Sequence, residues 1–377
     1  MSPPRHGWTA RRHAPEGVSS LEVWNLPVLG HELWELLGSE RVEADRRAGI
    51  PESMLAFHLL PVLAGALAEL VPRHDADSVW LSGGLACLEG FELLMEQASA
   101  VLSCPVYVAE DPRFAPVRAG LRLLEPLHST SPVALDVGQT SIKCASPTAL
   151  RVFERDTAAL PLRLIGMPRP EDGHHIPAAV RFIGGALRAF VEQGGSRPPE
   201  TRHEATSQDT RSGAEPPHAH REATAQNTQS RATSPHAQHG ATVQGRQSGA
   251  LPPRAQHGAT AQGRQSGALP PHAQHGATAH HGAATPDALC LALPCPLDGT
   301  LIPGGCTYGW EGHASLVDDL LHASGLTGPE GGGTVLVLND AELAAEAARW
   351  DARLADHRRV LCLTLGFGPG GALLVRD

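Results

Sequence analysis

The stretch VALDVGQTSIKCAS (133–146) sets an acid, a glycine bend and hydroxyls between two short apolar runs. That is the pattern of a β-hairpin, with Asp136, Gly138, Thr140 and Ser141 at its bend and Gln139 inside it. Such a bend can wrap a phosphate chain, because glycine lets backbone N–H groups approach closely, and the acid can hold a cation directly or through water. The alternative is an ordinary hairpin.

Three further places carry related chemistry. Gly366-Phe367-Gly368-Pro369-Gly370-Gly371, after Thr364, fits G-x-G-x-x-G in form. The dinucleotide reading needs a helix after the last glycine, and the next residues are the strand-like ALLVRD. A strand–glycine turn–strand remains, the same form as 133–146, so two glycine hairpins could grip a triphosphate; the alternative is a tight turn without a ligand. Asp340 stands where the strand TVLVL (334–338) and Asn339 give way to a helix, the edge of an α/β sheet where ligands bind. A carboxylate there can take the proton of an attacking hydroxyl, or Asn339 and Asp340 simply cap the helix. Ser82-Gly83-Gly84 follows the strand DSVWL and either admits a flat ring or phosphate or is a plain strand-to-helix turn.

Composition narrows the function classes. The 377 residues suffice for two domains, and 41% hydrophobic content supports a core. A net charge of −10 speaks against a broad nucleic-acid surface. Lys143 is the only lysine and lies in the first hairpin. The seven cysteines are dispersed, mostly in apolar runs and without CxxC spacing, which suits buried thiols in a reduced, cytoplasmic protein better than disulfides or a zinc site. The N-terminus lacks the apolar core of a signal peptide, and no run approaches the roughly 20 apolar residues of a membrane span.

The elements that must position these residues alternate in type. Residues 1–20 read as a loose arm. Leu21–Leu37 is apolar and partly helical, interrupted by Pro27 and Gly30. Pro51–Val71 has helical spacing, with Pro61 and Gly65 expected to kink or divide it. Residues 77–124 read strand, Gly-Gly turn, helix, strand, helix. After the hairpin come a strand near 150–154 and a helix over 176–192. Residues 194–285 contain near-identical repeats of SGALPPxAQHGATA and almost no large apolar side chain, which predicts a disordered insertion; its histidines read as solvated low complexity rather than a metal site. Strands at 288–293, 334–338, 360–365 and 372–375 and helices at 315–323 and 341–354 complete an α/β pattern.

These motifs resemble the sugar-kinase, Hsp70 and actin superfamily of ATPases, and within it the ROK group. ALDVGQTSIK looks like the first phosphate motif and LTLGFGPGGALL the second. LALPCPLDGTL and GWEGH are similar to the strand-and-proline segment and its continuation towards the sugar, LVLNDAELAAEA to the Asn-Asp motif, and VWLSGGLACLEGFELL with CPVYVAEDPRFAPVRAGL to the adenosine motif and closing strand and helix. The resemblance covers about 75–124 and 133–377 outside the repeats. It implies a two-lobed actin-like (ribonuclease H-like) α/β fold with ATP and Mg²⁺ in the cleft and a small-molecule sugar as substrate; a homodimer is left open, and neither nucleic acid nor membrane is implied. Asp340 is then the catalytic base. Asp136 organises the metal, and Gly138, Gln139, Thr140, Ser141, Thr364, Gly366, Gly368 and Gly370 line the phosphates. Gly83 and Gly84 lie by the nucleoside, and Asn339 and Glu342 by the substrate.

Motif order departs from the family. The adenosine-like segment precedes the first phosphate motif here, which a circular permutation explains better than truncation with partial duplication: 133–354 forms one lobe, and 21–124 with 360–377 the other. Gln139 replaces a usual Gly or Thr, Phe367 a usual Thr, and Glu342 an Asn; Pro369 removes an N–H donor. The zinc motif of many ROK proteins is absent, and Gly30-His31-Glu32 is only roughly placed to serve as the sugar motif. A sugar kinase is the expected activity. The rivals are a non-catalytic nucleotide- or sugar-binding regulator and a scaffold whose insertion recruits partners.

Overall fold

The computed structural model describes residues 7–161, 172–193 and 285–377, apart from 298, 329, 330 and 367. The repeat tract, Asp298 and Phe367 therefore lie outside the described residues. Strands run in chain order as β1 (Gly7–Arg12), β2 (Val18–Leu21), β3 (Pro27–Val28), β4 (His31–Glu32), β5 (Ser78–Ser82), β6 (Val106–Val108), β7 (Pro132–Val137), β8 (Ser141–Ser146), β9 (Ala149–Glu154), β10 (Ala288–Leu293), β11 (Gly332–Asn339), β12 (Arg359–Thr364) and β13 (Gly370–Val375). The helices are α1 (Leu33–Leu37), α2 (Ser39–Arg47), α3 (Glu52–Arg73), α4 (Phe91–Leu102), α5 (Ala115–Leu124), α6 (Asp172–Glu192), α7 (Leu316–Ala323) and α8 (Asp340–Arg349).

The strands form two mixed sheets built to one plan. In the first, β7 pairs antiparallel with β8 and β8 with β9, while on its other side β7 pairs parallel with β10 and β10 with β11. In the second, β12 pairs antiparallel with β13 and β13 with β2, and on the other side β12 runs parallel to β5 and β5 to β6. The second sheet thus draws its third, fourth and fifth strands from before β7 and its first two from after β11. β1 extends the first sheet as a parallel edge beyond β11.

Side-chain size sets the layers. Along β10 the large residues Leu289, Leu291 and Leu293 face the core under α6 and α7, whereas Ala288, Cys290 and Ala292 face α5. Small residues on that face allow a close approach: a Cβ at Gly120 of α5 would stand 2.9 Å from Ala134 Cβ and 3.1 Å from Cys290 Sγ. α8 is likewise rich in alanine, and Ala341, Ala344, Ala345 and Ala348 pack on Trp80, Val360, Cys362 and Leu374 of the second sheet. α5 follows a strand of the second sheet yet packs on the first, and α8 follows the first yet packs on the second. These two helices meet between the sheets, and α3 and α4 cover the outer face of the second.

Three expectations are corrected. Residues 7–12 and 18–21 are strands, not part of a loose arm: Trp8 is fully buried, its indole N–H donating to Leu326 O at 2.9 Å, and β2 completes the second sheet. Residues 21–37 are partly helical, as expected, and the interruption is a hairpin, Pro27–Glu32, whose loop residues, Leu29 (φ 53°) and Gly30 (φ 83°), both have positive φ, as the favoured two-residue hairpin loop requires. α3 is one helix through Pro61 and Gly65. Pro61 sits on the exposed side with Phe57, so the carbonyl freed by the missing N–H reaches water. By length and composition alone α3 could cross a bilayer, contrary to the reading of the apolar runs; Leu55, Leu59, Leu63, Leu67 and Leu70 bury its other face in the core. All seven cysteines are unpaired, and only Cys87 is exposed.

Candidate functional site

The C-terminal ends of β7, β10, β11, β12 and β5 carry the residues singled out from sequence. Asp136, near the end of β7, is buried, and Lys143 lies opposite it on β8 with Nζ 3.2 Å from Oδ2. Packing confines this pair: a Cβ at Gly138 would come 2.8 Å from Lys143 Nζ. Gln139 and Thr140 form the bend. Gly138 N donates to Ser141 O at 2.9 Å, and Ser141 opens β8 as a buried residue.

Asp340 is the first residue of α8. Its carboxyl is pushed up to about 7, first by desolvation and then by the charge of Asp136, with Lys143 and the Ala341 N–H pulling the other way. Dense packing around the carboxyl, more than lost access, desolvates it, for the residue is only half-buried. The second hairpin lies against it. A Cβ at Gly370 would collide with Thr364 Oγ1, stand 3.5 Å from Ala341 Cβ and 3.8 Å from Asp340 Oδ1.

Gly83 joins the third feature to the second. Its φ is 97°, and a Cβ there would collide with the Leu365 carbonyl oxygen. Leu365 N donates to Ser82 O at 2.7 Å and Leu85 N to Leu365 O at 3.1 Å. Gly84 and Gly366 are the sequence neighbours of these contacting residues. At Gly84, Gly366 and Gly368 an added Cβ would meet nothing within 4 Å. Crowding by the protein does not explain glycine at these positions.

Both residues expected at the substrate are hydrogen-bonded within the fold. Asn339 Oδ1 accepts from Ala341 N at 2.9 Å, and its Nδ2 donates to Cys295 O at 2.8 Å and Leu293 O at 3.4 Å. Glu342 is buried, accepts from Arg12 Nη2 at 2.5 and 2.7 Å, from Ser20 Oγ at 3.1 Å and from Asn339 N at 2.9 Å, the last closing a capping box. These side chains tie β1, β2, β10 and α8 together. Asn339 caps α8, and Asp340 Oδ1 also accepts from the Ala341 N–H, at 2.8 Å. The Gly30-His31-Glu32 segment is the surface hairpin, and Glu32 shares a capping box with Glu35.

Gln139 has an unexpected role. Its Oε1 accepts from Thr307 N at 3.3 Å and from Thr307 Oγ1, and Nε2 reaches Pro294 O at 3.5 Å. Sequence reasoning places Lys143 in the first hairpin without a role and does not find Arg155, Thr307 or Tyr308. Lys143 had a signal: it stands three residues past the bend as Asp136 stands three before it, which pairs the two on one face of the hairpin. The others come from distant segments and had none. Among the described residues no three His, Cys, Asp or Glu side chains cluster to hold a metal.

No family model, curated protein or solved structure matches the chain.

Proposed function

We propose that this chain is a circularly permuted protein of the actin-like ATPase fold that transfers phosphate from ATP to a sugar hydroxyl, in the manner of ROK sugar kinases. The two-sheet plan, with its strands shared out along the chain, supports the permuted fold. The observation that carries the activity is Asp340: a carboxyl with its acidity near neutral, at a strand end, against one glycine hairpin and within the field of the other. A base poised near the working pH is what deprotonating an attacking hydroxyl needs. Asp136 would hold Mg²⁺ through water; the donor set fits, since Mg²⁺ keeps several waters and takes one or two carboxylates besides phosphate oxygens. When bound, the ion neutralises charge on the phosphates. Gly84, Gly366 and Gly368 leave room for the nucleotide to press on the backbone. The permuted lobes, the substrate and a cytoplasmic location stand or fall with this reading.

A second reading, a nucleotide- or sugar-binding regulator without turnover, is favoured by Gln139, whose strut to Thr307 and Pro294 takes the place of a small residue, and by the occupied side chains of Asn339 and Glu342. ATP turnover against a panel of sugars, with Asp340→Ala as control, separates the two. Transfer to a sugar, lost in the variant, supports the kinase; tight ATP binding with no transfer to any sugar supports the regulator. A scaffold acting through its repeats loses its role when 196–285 are deleted, whereas a kinase keeps turnover.

A further inference from the structure

The bend of the first hairpin is held from one side by three donors. Tyr308 Oη donates to Gly138 O at 2.8 Å, Arg155 Nη1 to Gln139 O at 2.9 Å, and Arg155 N to Thr140 O at 2.8 Å. In a trans peptide the N–H points opposite to the carbonyl of the same unit. Fixing the Gly138 and Gln139 carbonyls towards Tyr308 and Arg155 therefore turns the Gln139 and Thr140 N–H groups the other way. Among the described residues neither N–H has a protein acceptor. Successive N–H groups left in this way form a concavity for an anion.

Arg155 itself is buried, and its donors all go to neutral oxygens. Nε donates to Leu160 O at 2.8 Å, Nη1 also to Thr307 Oγ1 at 3.1 Å, and Nη2 to Pro161 O at 2.7 Å and Thr307 O at 3.3 Å. The guanidinium lies 4.0 Å over the Tyr308 ring, which stacks on buried Trp310 at 4.6 Å. Among the described residues no carboxylate pairs with it. A buried charge without a counter-charge is costly, and desolvation pulls its affinity for the proton down. Thr307 ties the same cluster to Gln139, so bend and guanidinium move as one body.

We infer that Arg155 and Tyr308 are positioning residues that shape the Gln139–Thr140 bend into an anion hole, with the buried guanidinium supplying the positive field that a bound phosphate offsets. The assignment deepens the proposed function, since the phosphate would be that of the nucleotide.

The test uses the full-length protein and Mg²⁺ with inorganic tripolyphosphate, followed by calorimetry and by the backbone amide signals of Gln139 and Thr140. In the wild type the two amides are ordered without ligand and shift on adding tripolyphosphate. Tyr308→Phe, which keeps the ring stack and removes one donor, loosens the bend and weakens binding by about fivefold to tenfold. Arg155→Met weakens it further, and Arg155→Lys restores part of the loss by returning the charge; Tyr308→Phe serves alone if Arg155→Met does not fold. The inference is overturned if both amides stay unmoved by tripolyphosphate, or if Tyr308→Phe and Arg155→Lys leave order and affinity as in the wild type. Shifted amides without turnover on any sugar uphold the anion hole and sink the kinase. Turnover with unmoved amides does the reverse.

Discussion

Lys143 Nζ lies 3.2 Å from Asp136 Oδ2, across directly opposed residues of two antiparallel strands. The chain's single lysine thus sits among the acids that the proposed chemistry needs, and its charge also bears on Asp340. Replacing it removes the cation whose charge holds the Asp340 pKa down. Lys143→Met is expected to raise the Asp340 midpoint above about 7, by on the order of one pH unit. Carboxyl NMR titration reads this without any assay of activity, and an unmoved or lowered midpoint rejects the coupling.

Asp340 also makes stability depend on pH in a definite direction. The native carboxyl holds its proton up to about 7, whereas an unfolded aspartate releases it near pH ~4. Between these values the native state binds more protons, so stability falls as pH rises through the window and stays lower above it. Asp340→Asn removes the effect. Its gain in melting temperature should be larger at pH 8 than at pH 5, while phosphoryl transfer is abolished. An equal gain at both pH values would argue against the raised pKa.

The glycines divide by what requires them. Gly83 combines a positive φ with a collision against the Leu365 carbonyl, so Gly83→Ala should cost about 2–4 kcal/mol in urea denaturation. Gly84→Ala and Gly366→Ala have open space before them and should stay within about 1 kcal/mol of the wild type, while ATP affinity drops at least several-fold. Unchanged ATP binding in both alanine variants would remove the nucleotide from this surface.

Glu342 is expected to act on stability rather than on substrate. Glu342→Ala leaves Arg12 without its counter-charge and opens the capping box, for a loss of about 3–5 kcal/mol. Removing residues up to 21 should destabilise comparably, since β1 and β2 go with them. A Glu342→Ala variant of wild-type stability, with a raised sugar KM, would return this residue to the substrate.

Much of the architecture was legible because its signals are local. β10, β11 and β12 are buried on both faces and read as continuous apolar runs. The Asn339-Asp340 strand end and both glycine bends declare themselves by residue type. The N-terminal strands were missed because a short edge strand such as TARR carries no alternating pattern of its own; it becomes a strand by pairing with β11. Pro61 and Gly65 misled because helix propensity yields to packing when the proline faces water.

The sequence by itself determined which residues could do chemistry and that they fall at the ends of strands, since hydrophobic period, glycine and acid are written within a few neighbouring positions. Only the tertiary structure decided their partners. That Asn339 and Glu342 serve the fold, that Lys143 answers Asp136, and that Arg155 and Tyr308 back the Gln139 bend all depend on contacts between segments far apart in the chain. Such contacts are fixed by how two sheets and the helices between them pack, and no local pattern records them.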